Sequence, residues 1–302
     1  MNRNISFMLL AFMLILTVET IAGQQLSELR VVAPGAELKK VSGQFSFTEG
    51  PAVNKRGDIY FTDQPNDKIW KYDIHGKLSL FMDKTGRSNG LYFDHKGNLI
   101  ACADENNELW CIGRDKKITV LLGDVEGRRL NGPNDLWIDP RGGIYFTDPY
   151  YQRDYWERKQ PDLSGQKVYY LAKGKSQPVI VEDSVVKPNG ITGTPDGKFL
   201  YVADIQANKT YRYDIAQDGS LKNRREFVPQ GSDGITLDSE GNLYITGKGV
   251  TVYDSSGNKL GNIPVPARWT GNVCFGGKDR KTLFITASEF VFTLQMLVKG
   301  VE

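Results

Sequence analysis

Five positions along the chain offer side-chain oxygen and recur in one setting: Glu49, Asn89, Asn134, Asn189 and Asp233. Each opens a short phrase in which an apolar strand follows almost at once. A sixth phrase opens on Gly271. Carboxylate and carboxamide oxygens, without a nitrogen or sulfur donor beside them, suit one hard divalent cation. Calcium comes first, with magnesium, manganese or zinc as alternatives. Glu49 and Asp233 would balance the charge of such an ion and leave coordination for water and substrate. A plainer reading stands beside this one, because Asn and Asp before Gly are ordinary turn formers. Glu before Gly is not.

Histidine is scarce. Only His75 and His95 occur, each beside a hairpin Gly (Ile74-His75-Gly76, His95-Lys96-Gly97). A Ser-His-Asp arrangement therefore has no base, and a general base must be a carboxylate, Asp233 or Glu49. Gly276-Gly277 is not followed by Lys-Ser/Thr and makes no phosphate loop.

The elements that would carry these residues form a repeat. Glu49-Gly50-Pro51 leads into Ile59-Tyr60-Phe61-Thr62-Asp63, and Asn89-Gly90-Leu91 into Leu99–Asp104. Asn134-Asp135-Leu136 leads into Ile144-Tyr145-Phe146-Thr147-Asp148, and Asn189-Gly190-Ile191 into Leu200–Asp204. Asp233-Gly234-Ile235 and Gly271-Asn272-Val273 open the last two copies. Each copy reads as strand, tight Gly turn and strand. Further aromatic strands follow, such as Lys68-Ile69-Trp70-Lys71-Tyr72. Four short strands per repeat, apolar on both faces, predict an all-β, six-bladed propeller with four antiparallel strands per blade. The first strand of each blade lines the axis, so the opening residues share one height in the channel. A strand from Leu29–Val41 is expected to close the ring beside the sixth blade. The longest interval holds residues 150–166, with Tyr150, Tyr151, Tyr155 and Trp156, and reads equally as a lid or as a blade-edge decoration.

Composition agrees and excludes. Of 302 residues, 40% are hydrophobic, which provides a core, and 32 are Gly, which provides the turns. A net charge of +2 with no clustered basic face gives no basis for nucleic-acid binding. The amino terminus carries Arg3, then the apolar run Ile5–Val18, then Thr20-Ile21-Ala22. That is the form of a secretory signal peptide over residues 1–22, with a mature propeller domain over 23–302. The run is short for a membrane span. Export to the periplasm or beyond is expected, without stable membrane insertion once the signal is cleaved. Three cysteines make a poor disulfide framework. Cys102 and Cys111 flank one predicted hairpin, and small buried core residues are the favoured reading.

Several of these phrases resemble a known family. Leu130-Asn131-Gly132-Pro133-Asn134-Asp135-Leu136 with Ile144–Pro149 is similar to bacterial gluconolactonases, as are Lys187-Pro188-Asn189-Gly190-Ile191, Asp233-Gly234-Ile235 and Asn272–Gly277. The chain thus resembles the gluconolactonase, regucalcin (senescence marker protein) and luciferin-regenerating enzyme family from about Phe47 to Ala287. The resemblance implies metal ligands at Glu49, Asn189 and Asp233, with Asn134 in the metal shell or on the substrate. It implies Asp233 as the catalytic carboxylate, and Asn89 and Tyr150 as sugar contacts. The activity implied is metal-dependent hydrolysis of a small sugar lactone, like glucono-1,5-lactone, to its aldonic acid. Two departures bear on substrate: animal members carry Arg where this chain has Gly132, and Asp148-Pro149 runs into the insertion rather than Pro-Tyr-Gly. Hydrolysis of another lactone or a phosphotriester is the first alternative. A non-enzymatic extracellular binding propeller is the second, since Tyr-Phe-Thr-Asp also resembles the Tyr-Trp-Thr-Asp repeats of such proteins.

Overall fold

A computed structural model describes Leu26 and residues 29–301 of the chain. The signal-peptide segment, residues 1–22, lies outside the described residues. Six four-stranded antiparallel sheets follow one another, each built from consecutive strands except the last. The axial strands are Thr48–Val53, Ser88–Phe93, Leu136–Ile138, Pro188–Gly193, Ile235–Leu237 and Asn272–Gly276. In the sixth sheet the outermost strand is Lys39–Ser42, antiparallel to Phe290–Gln295. Joining the two ends of the chain in one sheet closes the ring as expected, and covers the two blade faces that a linear row of blades would leave exposed.

Burial falls from the axis outward. Thr48–Val53 and Pro188–Gly193 are buried at every residue, whereas the outer strand Leu221–Val228 is largely exposed. The core consists of layers between blades. Trp137, Tyr145 and Val168 of the third blade meet Ile191, Leu200 and Val202 of the fourth. Both faces of each sheet are therefore covered, which explains strands that are apolar without strict alternation. Cys102 and Cys274 are buried, Cys111 is half-buried, and none of the three forms a disulfide. Cys102 pairs in register with Leu109, and Cys111 with Ile100.

The glycines after the ring residues are packing devices rather than turn formers. A Cβ on Gly50 would stand 2.0 Å from the Asn89 carbonyl oxygen of the next blade, and one on Gly190 would stand 2.7 Å from that of Asp233. On Gly90 the Asn134 carbonyl would be 2.6 Å away, and the Gly90 amide instead donates to it at 2.7 Å. Only glycine lets the axial strands converge this closely. The ladder shifts register between Glu49 and Ala52, between Ser88 and Leu91, and between Pro188 and Ile191. Each irregularity thus falls on a ring residue and its glycine, and such bulges re-aim side chains.

The repeated Thr-Asp at the end of the second strand has two tasks. The threonine hydroxyl ties to the neighbouring blade: Thr62 donates to the Asn89 carbonyl, Thr147 to that of Asn189, and Thr246 to that of Gly271. The aspartate clamps its own blade's approach to the axis. Asp63 accepts the amides of Ser46 and Phe47, Asp148 those of Asn131 and Gly132, and Asp204 those of Val186 and Lys187. In all three blades these amides lie three and two residues before the ring residue. The position of Glu49, Asn134 and Asn189 is set this way.

Candidate active site

At the clamped end of the axial strands, Glu49, Asn89, Asn134, Asn189 and Asp233 line one cavity of about 260 Å³. The repeat thus brings all five sequence-predicted ring residues together. Gly271 contributes space: a Cβ there would stand 2.7 Å from Glu49 Oε1. The opposite channel mouth, lined by Val53, Phe93, Trp137 and Val301 among others, is largely apolar. Both histidines lie away from the cavity. His75 sits in a hairpin turn, where its backbone amide donates to Asp73 Oδ1 at 2.9 Å, and His95 Nε2 meets the Asp139 carbonyl at 3.2 Å.

Glu49 and the three asparagines are buried, while Asp233 keeps a partly open face. Burial pushes the Glu49 carboxyl well above the usual carboxylate range, and the neighbouring Asp233 charge pushes it further. Asp233 is raised by burial too, against hydrogen bonds from Trp269 and Asn189 that favour its charged form. Trp269 Nε1 donates to Asp233 Oδ2 at 2.6 Å. Two neighbouring carboxylates in one buried site resist ionising together unless a cation joins them. Beneath them Asp135, also pushed up by burial to about 7, accepts the Leu136 amide and faces Asn272 Nδ2 at 3.5 Å.

Asn189 decides whether a cation fits. Its Nδ2 donates to the Tyr151 hydroxyl at 3.0 Å, while its Oδ1 is buried without a partner. A buried acceptor left unpaired is costly and calls for a donor or an ion. With Glu49, Asn134 and Asp233 alongside, the donor set is all oxygen and twice negative, which matches a hard divalent cation. Among the described residues no group of three or more His, Cys, Asp or Glu could hold a metal. Amides complete this set instead.

The insertion reaches the cavity, but through a different tyrosine. Tyr150 is not in the lining; its amide donates to Gln166 and its ring packs on Trp156, centroids 5.9 Å apart. Tyr151 and Arg153 line the cavity instead. Tyr150 is therefore replaced by its neighbour as the aromatic at the mouth, because adjacent residues on the extended segment face opposite ways. Gly132 has no room for a side chain: a Cβ would stand 2.8 Å from Asp104 Oδ1 and 3.0 Å from the Trp156 ring. An arginine at that position, as in the animal proteins, is incompatible with this insertion.

Residues 47–289 match the SMP-30/Gluconolactonase/LRE-like region. The chain belongs to this family. A gluconolactonase of Zymomonas mobilis is 27% identical over 297 residues, covering 87% of this chain and 82% of that one. The solved structure of a gluconolactonase from Xanthomonas campestris superposes with a TM-score of 0.82 at 28% identity, covering 88% of this chain and 91% of that one. A diisopropyl-fluorophosphatase of Loligo vulgaris is 26% identical over 281 residues, covering 83% and 88%.

Proposed function

We propose that the protein is a lactone hydrolase that opens a sugar lactone of the glucono-1,5-lactone type to its aldonic acid. The observation that carries this reading is the convergence of Glu49, Asp233 and the unpaired Asn189 Oδ1 in one cavity, in a chain whose relatives include gluconolactonases. Glu49, Asn189 and Asp233 would hold a divalent cation, calcium first, with Asn134 beside them. When bound, it supplies Lewis-acid polarisation of an ester carbonyl.

The remaining chemistry belongs to this chain's residues. Asp233 Oδ1 takes a proton from the attacking water, and Trp269 fixes the other oxygen of the same carboxylate. Water oxygen bonds to the carbonyl carbon, the ring C–O bond breaks, and the ring oxygen leaves as a hydroxyl carrying the returned proton. The new carboxylic acid then ionises and releases the proton that an assay reads. Asn89 and Asn134 present amide donors and acceptors to the sugar hydroxyls, replacing the water those hydroxyls lose.

The test is proton release from glucono-1,5-lactone by metal-stripped protein, then by protein titrated with Ca²⁺, Mg²⁺, Mn²⁺ and Zn²⁺, with the spontaneous rate subtracted. Metal-dependent acceleration is expected, and Asp233→Asn should keep the fold while lowering kcat by about 10²–10⁴-fold. Full turnover by that variant would remove Asp233 from the base role. The fluorophosphatase relative favours a second reading, hydrolysis of a phosphotriester at the same floor. Fluoride release from diisopropyl fluorophosphate in the same titration separates the two.

A further inference from the structure

Arg153 enters the cavity from the insertion, and its guanidinium is only partly used. Nε donates to Asp104 Oδ2 at 2.8 Å, and the side chain is 23% exposed. The four N–H bonds on Nη1 and Nη2 meet no acceptor among the described residues. In the second blade Ala103 holds the place of the clamping aspartates, pairing with Ser88 as Asp63 pairs with Thr48 and Asp204 with Pro188, and the next residue, Asp104, has a different task. Its buried carboxylate instead accepts Arg153, the Tyr155 hydroxyl and Gln64 Nε2, while its backbone carbonyl accepts Trp156 Nε1 at 2.9 Å.

Charge at the mouth completes the argument. Glu49 and Asp233 would be balanced by a cation at the floor, and Asp104 balances Arg153. Lys187, whose Nζ lies 4.4 Å from the Tyr151 ring centroid, forms no ion pair among the described residues and adds a second cation near Arg153. A planar fork of free N–H bonds with a second cation nearby matches a carboxylate, sulfonate or phosphate better than a sugar hydroxyl.

We propose that Arg153 is the specificity-determining residue of this cavity, positioned by Asp104, and that the preferred lactone carries an anionic group at the end remote from its ester carbonyl. This rests on the lactonase reading for the reacting end of the substrate, and on Arg153 and Lys187 for the other end.

The experiment compares glucono-1,5-lactone, which is neutral, with D-glucaro-1,4-lactone, which carries a free carboxylate. Wild type should favour the anionic lactone in kcat/KM. Arg153→Gln should lower kcat/KM for it by about 10- to 100-fold, chiefly through KM, and far less for the neutral one. Arg153→Lys should recover part of the loss, and Asp104→Asn should weaken the preference in the same direction with Arg153 intact. A wild type that favours the neutral lactone, or an equal loss on both in Arg153→Gln, overturns the proposal. If folded wild type hydrolyses neither, the lactonase reading fails, and calorimetric titration with D-glucarate in Ca²⁺ decides for Arg153. Binding lost in Arg153→Gln then upholds the assignment, and equal binding overturns it.

Discussion

Replacing Asp148 by Asn tests whether burial or hydrogen bonding governs the aspartate clamps. Asp148 is fully buried and accepts the Asn131 amide at 2.9 Å and the Gly132 amide at 2.8 Å, one on each oxygen. Burial still pushes its carboxyl up to about 7 from an ordinary 3.8, with the Asp104 charge adding to the rise and Arg158 opposing it. A carboxyl whose folded pKa is raised contributes stability that is fully present below pH 3.8 and lost as pH climbs to about 7. The gap of about 3 units corresponds to about 4 kcal/mol at 1.36 kcal/mol per unit. Asp148→Asn lacks this titration. Below pH 5 the variant should be the less stable by about 1–3 kcal/mol, since an amide NH₂ cannot accept the second backbone N–H. By pH 8 the difference should have moved about 3–4 kcal/mol in the variant's favour. Urea unfolding of metal-free protein, followed by Trp fluorescence from pH 4.5 to 8.5, reads this directly. A difference that stays constant, or that grows against the variant as pH rises, would refute the reasoning. It would mean that the two amides hold the carboxylate ionised in spite of its burial.

Trp269→Phe keeps an aromatic ring and removes the donor to Asp233 Oδ2. Loss of such an outer partner should weaken Ca²⁺ binding by about 10–100-fold, measured by calorimetry at fixed pH; unchanged affinity would make Trp269 a packing residue only. Expression of the full chain with an export machinery should yield a product beginning at Gly23, by amino-terminal sequencing. Recovery of intact Met1 in the exported fraction would refute cleavage.

The ring was legible because it is periodic. Glu49, Asn89, Asn134, Asn189 and Asp233 hold equivalent places in repeats, and a repeat that builds a propeller must bring equivalent places to one height. Blade number and closure follow from the same period. What the period does not carry is harder to read. Tyr151 and Arg153 sit in an irregular insertion where a step of one residue exchanges the cavity side for the packed side, so Tyr150 was the natural but displaced choice. Trp269 reaches Asp233 from a loop 36 residues away, outside any repeated phrase. Asp135 was visible beside Asn134, yet its burial beneath the carboxylates depends on Asn272 of another blade. The glycines were visible as well. Their use was not, since a Gly in a hairpin turn and a Gly under a neighbouring carbonyl look alike in one dimension.

Floor and mouth are built by different means, and this bears on how the site can vary. The floor is over-determined: bulges aim the ring residues, glycines let axial strands converge, threonines tie each blade to the next, and Asp63, Asp148 and Asp204 hold the approaching loops. A change at any of these propagates into a core of packed inter-blade layers, which are costly to disturb. The mouth hangs on fewer contacts, three of them gathered at Asp104, which lies one residue past the clamp position of its blade. Substitution within residues 150–166 therefore alters which end groups a substrate can present without moving Glu49 or Asp233. Asn189 is the exception that couples the two. Its Nδ2 is held by Tyr151 from the insertion and its free Oδ1 belongs to the floor, so losing the Tyr151 hydroxyl would let the amide turn and withdraw the unpaired oxygen.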